Sequence, residues 1–132
     1  MSAAGVVLIS GELVILAKRI FFWEGIPVRY GGYWSPFAGA IEENETPKEA
    51  AQRELFEESG VKLPLESFKF QKVIHKDRPF HLFLAEVESI PKITLDEEHT
   101  ELGTFRIDLL HTIDPIDKEV VKCIKNYKKN RN

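Results

Sequence analysis

The chain has 132 residues, 43% of them hydrophobic and 30% charged, which suits a soluble globular protein with one real core rather than two. A net charge of −3 gives no global basic field for duplex nucleic acid or an anionic membrane, and the single Cys123 excludes an internal disulfide and a cysteine-based zinc site. No apolar run approaches the ~20 residues of a transmembrane helix, and Met1-Ser2-Ala3-Ala4-Gly5 lacks the basic start of an export signal, so residues 1–132 are expected to form one cytoplasmic domain.

Val6-Val7-Leu8-Ile9 is apolar and β-branched, as a buried strand requires. Ser10-Gly11-Glu12 is a turn, and Leu13 to Arg19 is the hairpin partner. Both runs are apolar almost throughout, which implies a sheet covered on both faces. Ile20 to Tyr33 has no clean period and carries Phe21, Phe22, Trp23, Tyr30 and Tyr33 among glycines. Such rings either pack a loop down or stack on a nucleobase, an interaction of roughly 1–3 kcal/mol per base. Arg29 sits among them and is placed to meet phosphate.

Trp34 to Ala38 leads into a helix with sharp ends. Thr46 is its N-cap, Pro47 suits the first helical position, Glu49 closes a capping box, and Gly60 ends the helix in a left-handed conformation. Glu54, Glu57 and Glu58 share one face of it at i, i+3 and i+4. Like charges at that spacing oppose the helix by a few tenths of a kcal/mol per pair, roughly, and they lie toward the end where the helix dipole disfavours anions. Small Pro47, Ala50 and Ala51 allow other groups to approach, and the preceding Ala38-Gly39 loop can deliver backbone carbonyls. Hard oxygen ligands with excess negative charge suit Mg²⁺ or Mn²⁺.

Ser67 to Lys76 and Phe80 to Glu88 read as an antiparallel pair joined by Asp77-Arg78-Pro79. His75 and His81 lie near it, but no cysteine or close carboxylate pair completes a transition-metal site. Ile90 to Leu95 is a connector. Asp96-Glu97-Glu98-His99-Thr100-Glu101 is a second acidic stretch, followed by a strand at Thr104 to Ile107. Asp114-Pro115-Ile116-Asp117 opens a last helix whose Ile116, Val120, Ile124 and Tyr127 recur at helical spacing, with Cys123 in or near the core. Lys128 to Asn132 is expected to be a frayed end.

One segment carries a resemblance. Gly39, Glu45 and then Arg53-Glu54-Leu55-x-Glu57-Glu58-x-Gly60-Val61 match the Nudix box at all nine of its defined positions over 23 residues, a density that chance rarely produces. The resemblance implies an α/β fold, an α/β/α sandwich with a mixed β-sheet, and Mg²⁺-dependent hydrolysis of a diphosphate bond, with Mn²⁺ as the alternative ion. The substrate class it implies is a nucleoside diphosphate linked to another moiety. A small nucleotide such as a nucleoside triphosphate is favoured here, acted on by a monomer or homodimer.

Carried over residue by residue, Glu57 and Glu58 are metal ligands, with the Ala38 carbonyl and Glu98 beside them; Glu97 and Glu101 are the alternatives to Glu98. Glu54 is general base or a further ligand, and Arg53 holds Glu54 or Glu57 in place. Glu45 orients the loop, Gly39 allows a tight turn, and Gly60 ends the helix. Arg19, Phe22, Trp23, Arg29, Tyr33 and Phe37 are the expected substrate contacts. Phe37 and Ala38 stand where the family commonly has Pro-Gly, which alters the local shape. A non-catalytic nucleotide-binding module of the same fold is the alternative function; such modules typically lose box carboxylates, and all are present here.

Overall fold

The computed structural model describes residues 2–131. β1 (Ala3–Ser10) and β2 (Leu13–Arg19) form the expected antiparallel hairpin, with Leu8 opposite Ile15. The aromatic stretch holds a small hairpin of its own, β3 (Phe22–Trp23) and β4 (Ile26–Pro27). β5 (Trp34–Ser35) and β6 (Phe37–Ala40) lead into α1 (Pro47–Ser59). β7 (Lys69–His75) and β8 (Pro79–Glu86) are the second antiparallel pair, β9 (His99–Arg106) follows, and α2 (Lys118–Arg131) closes the chain. No helix among the described residues is long and apolar enough to cross a membrane.

The main sheet runs β5-β2-β1-β8-β7, with β6 also on β1 and β9 also on β2. It is mixed, because β1 is parallel to β8 and antiparallel to β2 and β6. The first hairpin splays. β1 pairs β2 only from Leu8 to Ser10 and pairs β6 from Ala3 to Val6, while β2 turns to β5 at Ala17 and Lys18. The start of β1, the end of β2 and the whole of β6 therefore meet at one end of the sheet.

Strand alternation sorts the core into two layers. Ala4, Val6, Leu8, Ile15, Ala17, Phe83 and Ala85 pack against Ala50, Ala51 and Leu55 of α1. Val7, Ile9, Val14, Leu16, Leu82 and Leu84 pack against Val120, Cys123 and Ile124 of α2. Doubly apolar strands thus find cover on both faces, and the α/β/α sandwich follows. Leu55 is fully buried and pins α1 to the sheet, so truncating it to alanine costs about 2–5 kcal/mol.

The ends of α1 are as the sequence dictates. Thr46 Oγ1 accepts the Glu49 N–H at 3.1 Å, Glu49 Oε1 accepts the Thr46 N–H at 2.9 Å, and Gly60 sits at φ 77°. α2 differs. Its cap is Asp117, whose Oδ1 accepts the Glu119 N–H at 2.9 Å, and not Asp114. The preceding residues are held elsewhere, since the Trp34 N–H donates to the Pro115 carbonyl at 3.0 Å. The helix also continues through the expected frayed end to Arg131; Asn132 lies outside the described residues. β9 starts at His99, five residues ahead of the expected strand, because β2 offers pairing partners as far as Arg19.

Candidate active site

Glu54 and Glu58 lie one helical turn apart and project from α1 toward β6. Glu58 is 4% exposed, and its Oε1 accepts the Ala38 N–H at 2.9 Å. Glu54 lies directly on Gly39, where an added Cβ would fall 2.3 Å from its carboxylate carbon. Gly39 is therefore needed for this close approach. The tight turn expected of it is not its role, since it sits within β6 and its φ is not positive. The Glu57 side chain is 54% exposed, and its Oε1 accepts at 3.1 Å from the same Arg53 nitrogen that holds Glu54.

Arg53 ties the box together. Nε and Nη2 bind the two Glu45 oxygens at 2.8 and 3.0 Å, Nη2 reaches the Ala40 carbonyl at 2.9 Å, and Nη1 reaches Glu54 at 2.9 Å. This fork uses the planar donor set that only arginine offers. Its hydrogen bonds hold the Glu45 carboxyl below its ordinary value, and Glu45 and Glu54 together raise that of the guanidinium. Glu45 also accepts the Glu42 N–H at 2.9 Å, so the loop before α1 is fastened to the helix.

The second acidic stretch arrives through the backbone. Thr94 N–H donates to the Ser59 carbonyl at 3.0 Å and Asp96 N–H to the Glu58 carbonyl at 3.2 Å, which brings Asp96 and Glu98 to the end of α1. Carboxylate oxygens of Glu58, Asp96 and Glu98 lie within 4.8 Å of one another. Asp96 was not among the residues that the sequence singles out for this role. Of the alternatives weighed, Glu101 is turned to Lys18 at 3.5 Å, and Glu97 is exposed and outside the cluster.

The electrostatics of this cluster are unfavourable without a cation. Burial first, and then the Glu54 charge, push the Glu58 carboxyl up to about 10. Partial burial and the Asp96 charge raise Glu98 as well. Three converging carboxylates, all hard oxygen donors and with Glu58 buried among them, fit a Mg²⁺ or Mn²⁺ ion.

A cavity of about 400 Å³ opens beside them. Ala38, Gly39, Glu54, Glu58 and Glu98 line it, together with Arg19, Arg29, Tyr30, Tyr33, Trp34, Lys76 and Arg78. Arg29 is paired with Asp77 at 3.0 Å and Lys76 with Asp117. Of the expected substrate contacts, Arg19, Arg29 and Tyr33 are therefore at the cavity. Trp23 is at a second depression shared with Asp96, Glu97 and Glu98. Phe22, 62% exposed on its hairpin, lines neither cavity. Phe37 is fully buried among Ala4, Val6 and Leu55, because strand parity points its neighbour Ala38 at the cavity instead. Trp34, Lys76 and Arg78 are cavity residues that the sequence did not single out, and Tyr30, one of the rings of the aromatic loop, joins Tyr33 there.

Known proteins share parts of this sequence or its fold. The chain is 39% identical over 59 residues to an 8-oxo-dGTP diphosphatase of Proteus vulgaris, a match taking in 45% of this chain and 48% of that one. The chain thus spans about half the length of that relative, and it spans 10% of an octanoyltransferase of Myxococcus xanthus, 49% identical over 35 residues or 26% of this chain. The fold superposes on a MutT protein of Methanosarcina mazei with a TM-score of 0.79 at 12% identity, covering 100% of this chain and 95% of that one. It also superposes, at TM-score 0.76 and 18% identity, on a bifunctional NMN adenylyltransferase/ADP ribose pyrophosphatase of Francisella tularensis, solved with AMP and a manganese ion, covering 99% of this chain and 42% of that one. The family model for the NUDIX domain matches residues 1–124, which includes the whole acidic cluster and the cavity around it, and the chain belongs to that family.

Proposed function

We propose that the protein hydrolyses a diphosphate bond in a small nucleotide, a nucleoside triphosphate or a nucleoside diphosphate derivative, with a divalent cation held by Glu58, Asp96 and Glu98. The observation that carries this reading is the cluster itself, with two of its members, Glu58 and Glu98, and Glu54 on the wall of a cavity also lined by arginines and aromatic rings. When bound, Mg²⁺ or Mn²⁺ supplies charge neutralisation at the phosphoryl oxygens and makes a nearby water more acidic.

The chain's own residues do the rest. Arg53 binds one oxygen of Glu54 and fixes the carboxylate against Gly39, which leaves Glu54 facing the cavity as the acceptor for the proton of an attacking water. Arg19 and Arg29 meet the phosphates, and Tyr33 and Trp34 offer ring faces or edges to the base. The diphosphatase named above supports a nucleotide substrate, and the AMP–manganese complex supports a nucleotide and a divalent ion in one fold. On this reading the whole chain is one domain, acting on free nucleotides in the cytoplasm.

The test is a Mg²⁺ assay over nucleoside triphosphates (unmodified and oxidised), nucleoside diphosphate sugars, dinucleoside polyphosphates and capped RNA ends, with products identified by chromatography. The expected result is cleavage of a phosphoanhydride bond in at least one class, abolished by chelation. Failure to turn over any member of the panel with either Mg²⁺ or Mn²⁺ refutes the reading.

A further inference from the structure

His99, the first residue of β9, is 6% exposed, and its side chain only 1%. Its Nδ1 lies 2.8 Å from Asp96 Oδ1, while Nε2 has no hydrogen-bond partner among the described residues. The ring meets the edge of Phe37 with centroids 6.0 Å apart. A carboxylate oxygen only accepts, so Nδ1 carries the hydrogen in this pair, and Nε2 is left without a partner among the described residues. Asp96 Oδ1 also accepts the Glu98 N–H at 3.2 Å. Both of these donors therefore fall on one oxygen of Asp96, and the Asp96 N–H is engaged with the Glu58 carbonyl.

A buried imidazole nitrogen without a partner is unfavourable, and a leucine would fill the same space without it. What histidine adds here is one donor, aimed at a member of the acidic cluster. We infer that His99 is a positioning residue for the cation site: its Nδ1–H fixes the Asp96 carboxylate by Oδ1 and turns Oδ2 toward Glu58 and Glu98. This inference rests on the cation reading of the cluster. Ligands whose outer partners are removed typically lose about 10–100-fold in metal affinity, which sets the size of the expected effect.

The test uses Mn²⁺ alone, titrated into the metal-free protein, with free Mn²⁺ read by electron paramagnetic resonance and the fold read by melting temperature. Asparagine presents an amide N–H near the place of Nδ1; leucine presents none; glutamine reaches the place of Nε2 instead. His99→Leu is expected to weaken Mn²⁺ binding about 10-fold or more, and His99→Asn to retain most of the wild-type affinity. If His99→Leu does not fold, His99→Gln takes its place with the same expected loss. Wild-type affinity in His99→Leu or His99→Gln, with binding lost in Glu58→Gln, overturns the positioning role and leaves the cation site standing. A wild-type protein that binds no Mn²⁺ overturns both.

Discussion

The carboxylate of Glu54 rests on the α-carbon of Gly39, so closely that a methyl group there would fall 2.3 Å from it. The obstacle is the end of a side chain rather than backbone. Gly39→Ala is therefore expected to push Glu54 out of place while β6 stays paired. Turnover should fall about 10-fold or more, with stability changed by no more than about 1–2 kcal/mol in urea unfolding. An alanine variant with wild-type kcat would show that the placement of Glu54 does not matter to the reaction.

Glu57 and Glu58 are adjacent in sequence and differ in environment. Glu58 is buried in the cluster, and Glu57 is half exposed and bound to Arg53. Glu58→Gln is expected to lower turnover on the order of 100-fold or more, and Glu57→Gln by far less, since only the first removes a charge from the cluster. Both variants keep the shape of the side chain and should fold. Without metal, Glu58→Gln should melt above wild type, because it replaces a buried acid among acids. Equal losses in the two variants would sink the distinction.

What the sequence reveals here is what is local. The capping box, the proline at N1 and the glycine at the end of α1 each act within a few residues, and each is where the spacing puts it. The nearly unbroken apolar runs of β1 and β2 likewise announce two covering layers. Asp96 was not legible, because two backbone hydrogen bonds to the end of α1, at Ser59 and Glu58, place it, and no local pattern encodes them. Phe37 was misplaced for a different reason. It stands in a strand of four residues, where one step of parity decides between core and cavity, and the sequence shows no period over so short a span. The start of α2 offered two aspartates, and only the tie between Trp34 and Pro115 excludes the first.

The pH dependence of metal-free stability should report the buried acid. Burial and the Glu54 charge hold Glu58 up to about 10 in the folded protein, against 4.5 for the ordinary group. The folded state therefore binds the proton more tightly. Its contribution to stability is fully present below about 4.5 and is lost as pH rises through that window toward about 10. Melting temperatures in chelator are expected to fall between pH 6 and pH 9, with a shallower fall in Glu58→Gln. A divalent ion replaces the proton, so added Mg²⁺ should flatten the profile and its binding should release protons, measurable by calorimetry in two buffers. Identical slopes for wild type and Glu58→Gln would contradict the assignment.

The aromatic residues separate by position. Tyr33 is at the cavity, Phe22 is exposed on its hairpin, and Phe37 is in the core under α1. Removing a ring that stacks on a base costs about 1–3 kcal/mol of binding, so Tyr33→Ala should raise KM roughly 5- to 100-fold with an unchanged melting temperature. Phe22→Ala should leave KM near wild type. Phe37→Ala should cost about 3–5 kcal/mol of stability, and the folded fraction that survives should keep its KM. Steady-state kinetics beside thermal melts on these three variants distinguish the roles. If KM rises in Phe22→Ala and not in Tyr33→Ala, the base lies over the β3–β4 hairpin instead of in the cavity.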